Sequence, residues 1–311
     1  MDTIIITGGA GFIGSHLCDA LIKEYKIICI DNCITGRKSN ISHLISSKNF
    51  VLLEHDISKP LKINENVRYI FHLASPASPV DYQERPIETM LANSFGAYNM
   101  LELAKDKKAR ILLASTSEVY GDPKEHPQKE TYWGNVNPVG PRSCYDESKR
   151  FAEALAMSYF RKHGLDIRLA RIFNTYGPRM REDDGRVIPN FITQAIGNKP
   201  ITVYGDGSQT RSFCYVSDLV EGLKKFMFKE SLPAEIINLG NPKEYTILET
   251  AELVKKTIGS KSEIVFRDLP GDDPLRRNPD ISKARKLLSW EPKIPFEAGI
   301  RKTTEAFKQK L

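Results

Sequence analysis

Nothing in this chain of 311 residues approaches the apolar run of about 20 residues that a membrane helix needs, and no block of lysines or arginines stands out. The first absence argues against a membrane span, the second against a nucleic-acid-binding arm. A formal net charge of +6 is spread along the sequence, which suits an anionic ligand without singling one out. Cysteine is scarce: Cys18, Cys29, Cys33, Cys144 and Cys214 are odd in number and contain no C-x-x-C pair. They read as reduced thiols of a cytoplasmic protein, not as a disulfide framework. The six histidines lack metal-ligand spacing, so no metal is expected. Internal repeats and low-complexity tracts are also missing. The first strand pattern begins at residue 4, so no signal or transit peptide is expected.

What is present begins at once. Ile4-Ile5-Ile6-Thr7 is a β-branched run of buried-strand type, and it feeds into Gly8-Gly9-Ala10-Gly11-Phe12-Ile13-Gly14. Helical spacing follows from Ser15 to Lys23, then a second strand from Ile27 to Ile30. Strand, glycine turn, helix and strand in that order form a dinucleotide-binding fingerprint. Glycine permits the tight turn and the close approach of a pyrophosphate, and the helix N-terminus offers free N–H groups to it. Gly8, Gly11, Phe12, Ile13 and Gly14 are therefore cofactor-binding candidates. Asp31 follows about 20 residues on, where an acid holds the adenosine ribose. Its carboxylate would repel a 2′-phosphate, which favours NAD over NADP; Arg37 and Lys38 close behind read as a solvated loop. Asn32, Thr35 and Gly36 belong to the same turn. Further strands are expected at 50–54, 69–73, 111–114 and 167–171. Their C-terminal ends offer Asp56 and Ile57 near the adenine, and Leu73, Ala74 and Ser75 along the cofactor trough. Asn93, in a helical stretch, is read as fixing the backbone near the active site, and with Thr175 it completes the cofactor set.

Tyr145 and Lys149 are four apart, so on a helix they share a face. At about 4–5 Å the lysine charge would stabilise the phenolate by about 3–4 kcal/mol. On that reading Lys149 lowers the Tyr145 pKa enough for it to take a sugar-hydroxyl proton near neutrality. Ser115 to Glu118 end the strand before it, at the sheet edge where ligands bind.

Alternation of strands and helices as far as Arg171 predicts an α/β fold with a doubly wound, Rossmann-type parallel sheet. Residues 1–173 would form the nucleotide domain, rejoined by about 213–239 through Ile236 to Leu239. Residues 174–212 and 240–311 would form a smaller substrate lobe. The proline-rich stretch from Asp122 to Arg142 is long for a connection and reads as a lid.

With its glycine fingerprint and Tyr-x-x-x-Lys pair, the whole chain resembles the extended short-chain dehydrogenase/reductase superfamily. Within it, the match is to the branch that decarboxylates UDP-glucuronate to UDP-xylose. Six stretches carry that likeness: His72–Pro79, Leu113–Pro123, Tyr132–Pro138, Ala170–Met180, Thr202–Phe213 and Asp272–Asp280. The resemblance implies NAD regenerated in each cycle, a UDP-4-keto intermediate and a homodimer formed through Pro86–Lys105 and Tyr145–Lys162. It implies Tyr145 as base, Lys149 as its partner and ribose anchor, and Thr116 as a hydrogen-bond donor to the C4 oxygen. Ser117 and Glu118 would attend the C5–C6 end of the sugar, with Arg277 as an anion-binding group there. Asn174, Arg179, Val187, Tyr204, Gln209 and Arg211 fall at the UDP-binding positions. One departure is Asn278, where many members carry lysine. The rival activities are a 4,6-dehydratase, which needs an acid at Ser117, a C4 epimerase, which Glu118 disfavours, and a non-catalytic NAD-binding protein.

Overall fold

Ile4, Ile5 and Ile6 have no exposed surface at all, as a run buried on both faces of a parallel sheet requires. They form β1 (Thr3–Thr7), followed by β2 (Lys26–Asp31), β3 (Phe50–Glu54), β4 (Val67–His72), β5 (Arg110–Thr116) and β6 (Ile167–Ile172). The strand Glu235–Leu239 adds to β6, giving a seven-stranded sheet ordered Glu235–Leu239, β6, β5, β4, β1, β2, β3. Every neighbouring pair is parallel. This computed structural model describes residues 1–268 and 276–310; the Asp272–Leu275 part of the last motif lies outside them.

Successive side chains of a strand point to opposite faces. Ile4 and Ile6 accordingly join one apolar cluster with Leu17, Cys18 and Leu223, while Ile5 joins another with Met100, Leu101 and Ala156. Helices therefore cover both faces. The chain winds outward from β1 to β3, then returns to β4 on the other side of β1. That reversal opens a crevice beyond the carboxyl ends of β1 and β4, the place where such sheets bind ligands.

The first helix starts at Phe12, not Ser15. Gly14 lies inside it because a Cβ there would stand 2.1 Å from the Gly8 carbonyl oxygen. Gly8 itself has φ +71°, and an added Cβ would meet the Ala74 backbone at 2.9 Å. The glycines thus let the helix sit directly on the ends of β1 and β4.

Beyond β6 the second lobe is built from short pairs. Ile201–Tyr204 lies parallel to Ile264–Arg267, and Thr210–Ser212 lies between Glu244–Thr246 and Arg276–Arg277. That last pairing sets Arg277 beside Arg211. Of residues 122–142, Arg142 alone lines the crevice. The stretch forms a strap, tied to the second lobe where Gln128 Oε1 accepts from the Asn278 N–H (2.8 Å) and the Gln128 carbonyl from the Asp280 N–H (2.9 Å).

Candidate active site

A cavity of about 880 Å³ fills the crevice, and every catalytic, cofactor-binding and UDP-binding candidate lines it except Asn93. The end of the cavity beside the glycine turn is made mostly of backbone. The helix Phe12–Leu21 begins at Gly11 with no side-chain cap and no acid in its first turn, so its positive end and free N–H groups face the cavity. Asp31 closes the far side, its Oδ2 accepting from the Ala10 N–H (2.9 Å) and its Oδ1 from the Cys33 N–H (2.8 Å). Burial pushes its pKa up, opposed by those N–H groups. Arg37 and Lys38 are turned to other acids: Arg37 donates to Glu182 (2.9 Å) and Lys38 to Glu54 (2.6 Å).

Helix Ser143–His163 carries Tyr145 and Lys149 into the middle of the cavity. The two are buried, with the Lys149 Nζ 5.8 Å from the Tyr145 ring centroid. Their electrostatics correct the expectation of a lowered phenol. Burial pushes the Tyr145 pKa well above its ordinary value and Glu118 adds to the rise, outweighing the Thr116 hydrogen bond and the Arg186 charge. Lys149 instead donates to the Ala114 carbonyl at 3.0 Å, and burial pulls its own pKa down to about 8. Desolvation wins here, and the Lys149 ammonium is spent on a backbone carbonyl.

Thr116 ends β5 and caps the turn Ser117–Tyr120, its Oγ1 accepting from the Glu118 N–H at 3.2 Å. The turn presents Glu118 to two guanidiniums. Glu118 Oε2 accepts from Arg277 Nη2 at 3.1 Å and from Arg142 Nη2 in a close ion pair, while Arg277 Nη1 donates to the Ser117 carbonyl. Burial raises the Glu118 pKa, but Arg277 and Arg142 outweigh it and hold it down to about 2. Asp146, next to the cluster, moves the opposite way: burial and the Glu118 charge push it up to about 7. Asn278 donates to Glu244 at 2.9 Å.

Asn93 does not line the cavity. It sits behind the helix that carries Tyr145, in a π-helical turn, and donates to Ser148 Oγ at 3.0 Å. Ser148 in turn donates to the Cys144 and Tyr145 carbonyls, so Asn93 braces the helix that carries Tyr145 instead of facing the cavity. Of the UDP positions, Arg179 donates to Asp19 (2.6 Å) and Gln209 to the Tyr204 carbonyl (2.6 Å). Sequence reasoning missed Tyr82, Arg142 and Arg186. Tyr82 stacks on Tyr145 with centroids 5.0 Å apart and planes 7° off parallel. Arg142 was visible only as the last residue of the expected lid.

The family model for GDP-mannose 4,6 dehydratase matches residues 5–303. The chain is 56% identical to UDP-glucuronic acid decarboxylase 1 of Arabidopsis thaliana over 309 residues, 99% of this chain and 70% of that protein. It is 54% identical to UDP-glucuronic acid decarboxylase 1 of Danio rerio, covering 99% and 73%. The chain belongs to the UDP-glucuronic acid decarboxylase family. Among solved structures, UDP-glucuronic acid 4-epimerase from Bacillus cereus, in complex with UDP-glucuronic acid and NAD, is similar to this decarboxylase-family chain at 30% identity. It has a TM-score of 0.89 and covers 99% of this chain and 100% of that one. No helix among the described residues is long and apolar enough to cross a membrane.

Proposed function

We propose that this protein converts UDP-glucuronate to UDP-xylose and carbon dioxide, with NAD as a resident cofactor. The observation that carries the proposal is Glu118, bridged to Arg277 and Arg142, standing beside the buried Tyr145–Lys149 pair in one cavity. The residues fit NAD. Gly8 and Gly14 leave no room for a Cβ, the first helix opens uncapped, and Asp31 is placed to receive the ribose hydroxyls. Arg37 and Lys38 pair with Glu182 and Glu54, and the Asp31 carboxylate would repel a 2′-phosphate.

Bound NAD would supply the hydride acceptor and donor for C4, and its ring charge would favour the phenolate. Tyr145 takes the C4 hydroxyl proton, aligned through the Thr116 side chain that hydrogen-bonds its phenol. Oxidation at C4 leaves the C6 carboxylate β to a ketone. The C5–C6 electron pair can then pass into an enolate as carbon dioxide departs. Arg277, fixed by Glu118 and by the Ser117 carbonyl, supplies positive charge where the carboxylate leaves and the enolate forms. C5 takes up the one proton that the reaction consumes, and Tyr145 returns its proton to the C4 oxygen. Ser117, where a dehydratase keeps an acid to expel water, is buried and donates to Glu118 at 3.4 Å.

Arg277→Ala should slow carbon dioxide release by about 10²–10³-fold, since one aimed electrostatic donor commonly contributes about 3–4 kcal/mol. Full decarboxylation by both Glu118→Gln and Arg277→Ala proteins would sink this assignment.

A homodimer and a cytoplasmic, reducing setting belong to the same proposal. Ile87, Phe95 and Phe151 are 68%, 57% and 50% exposed on the Pro86–Lys107 and Ser143–His163 helices, an apolar face suited to a second copy. All five cysteines are free thiols, as a reducing compartment leaves them. Sedimentation should give a dimer that Phe95→Glu dissociates; a wild-type monomer at micromolar concentration speaks against it.

A further inference from the structure

Lys149 is a buried ammonium, and a buried cation needs a compensating charge or it gives up its proton. Its hydrogen-bond partner, the Ala114 carbonyl, is neutral. The charge that opposes desolvation comes from Glu153, one turn further along the same helix. Four apart, the two side chains share a face, and together they line a void of about 10 Å³ closed by His72, Asn93 and Ser115.

Glu153 is not a loose surface acid. Ser115 Oγ donates to its Oε1 at 2.5 Å, and Arg171 donates to Oε1 at 2.9 Å and to Oε2 at 2.7 Å. Arg171 is itself anchored, donating to the Tyr120 hydroxyl at 3.0 Å and the Glu130 carbonyl at 3.1 Å. Glu153 and Lys149 both line the void, and Arg171 does not. The pair thus presents its negative member to the lysine, which is the orientation that holds an ammonium.

The other groups packed around Lys149 cannot do this work. His72, from β4, is neutral, with burial pulling its pKa down to about 3, and its Nδ1 is 2.8 Å from Thr7 Oγ1. Tyr145, on the same helix, is held protonated by burial. Ser115 from β5 and Asn93 from the π-helical turn carry no charge.

We propose that Glu153 is a positioning residue that keeps Lys149 protonated, and that the Glu153–Arg171 pair sets the upper pH limit of the reaction. The inference rests on the Tyr145–Lys149 assignment made above. Its sharp consequence is that the two members of one ion pair act in opposite directions. Glu153→Gln removes the negative charge and leaves Arg171, so Lys149 should lose its proton about one pH unit earlier. Arg171→Met leaves the carboxylate to Lys149, so the proton should be kept to higher pH. A merely structural pair would move both variants the same way.

The experiment uses the full chain with NAD. Turnover of UDP-glucuronate is followed against pH, and the isotope-labelled Lys149 Cε resonance is titrated in parallel as a readout independent of activity. The expected result is an alkaline limb and a Cε titration that fall in Glu153→Gln and rise in Arg171→Met. Should Glu153→Gln fail to fold, Glu153→Asp withdraws the carboxylate and should give a smaller fall, still set against Arg171→Met. Shifts of one sign in both variants, or none in either, would overturn the inference. Wild-type protein that releases no carbon dioxide from UDP-glucuronate would overturn the functional assignment instead, and the Cε titration would still decide between the two signs.

Discussion

The two ends of the cavity are built by opposite means. The proposed dinucleotide end is largely backbone, drawn from a strand, a glycine turn and a helix within the first 31 residues, with one carboxylate added. The proposed sugar end is side chains, gathered from Thr116–Glu118, Arg142–Lys149, Arg186 and Arg277. One end is specified locally, by what a missing Cβ permits. The other exists only when the sheet, the strap and the second lobe come together. A local device should tolerate damage elsewhere in the molecule, whereas the assembled end should fail when any one of its charges is removed.

The largest effect expected is at the assembled end. Tyr145→Phe should reduce C4 oxidation by about 10²–10⁴-fold, the range for a removed acid–base group, while NAD and UDP-sugar binding survive. Single-turnover reduction of NAD at a near-normal rate would show that the base lies elsewhere. At the dinucleotide end the effect should be smaller and confined to binding. Asp31→Asn should weaken NAD by about tenfold or more, as loss of a charge-assisted hydrogen bond does, and narrow the gap to NADP. A wild-type preference for NADP would contradict the argument from Asp31.

The smallest effect is on stability and comes from Asp146. Its pKa is raised from 3.8 to about 7 in the folded protein, and its Oδ1 is buried without a partner. A raised carboxylate gives stability present below its unfolded pKa and lost as pH rises through the folded value. Asp146→Asn cannot ionise, so its Tm advantage over wild type should widen from about pH 4 to pH 7 and then level off. A Tm difference independent of pH would place the origin of any change outside titration.

This contrast also explains what could be read in advance. The strand run Ile4–Thr7, the glycines and Asp31 are contiguous, and their roles follow from steric and dipole rules that act over a few residues. Tyr145 and Lys149 were legible by spacing, yet their pKa directions were not. Those depend on burial, which one helix cannot declare, and on where the ammonium finds its carbonyl. The pairing of Arg142 with Glu118 was not legible, because nothing in the neighbourhood of Arg142 reveals that Glu118, beyond the end of β5, would meet it. Asn93 drew attention as a polar residue in a helix, but the π-helical turn that aims it at Ser148 has no sequence period. Glu153 passed unnoticed for the same reason, its partner Arg171 being on the adjoining strand.

The central claim is that one cavity oxidises C4, releases the carboxylate and reduces C4 again without net consumption of NAD. The most direct test incubates the purified protein with UDP-glucuronate and catalytic NAD, following carbon dioxide, the sugar product and reduced cofactor together. The account predicts carbon dioxide and UDP-xylose formed in equal amounts over many turnovers, with no matching accumulation of NADH. UDP-glucuronate left untouched while UDP-glucose is converted to a 4-keto-6-deoxy sugar would contradict it.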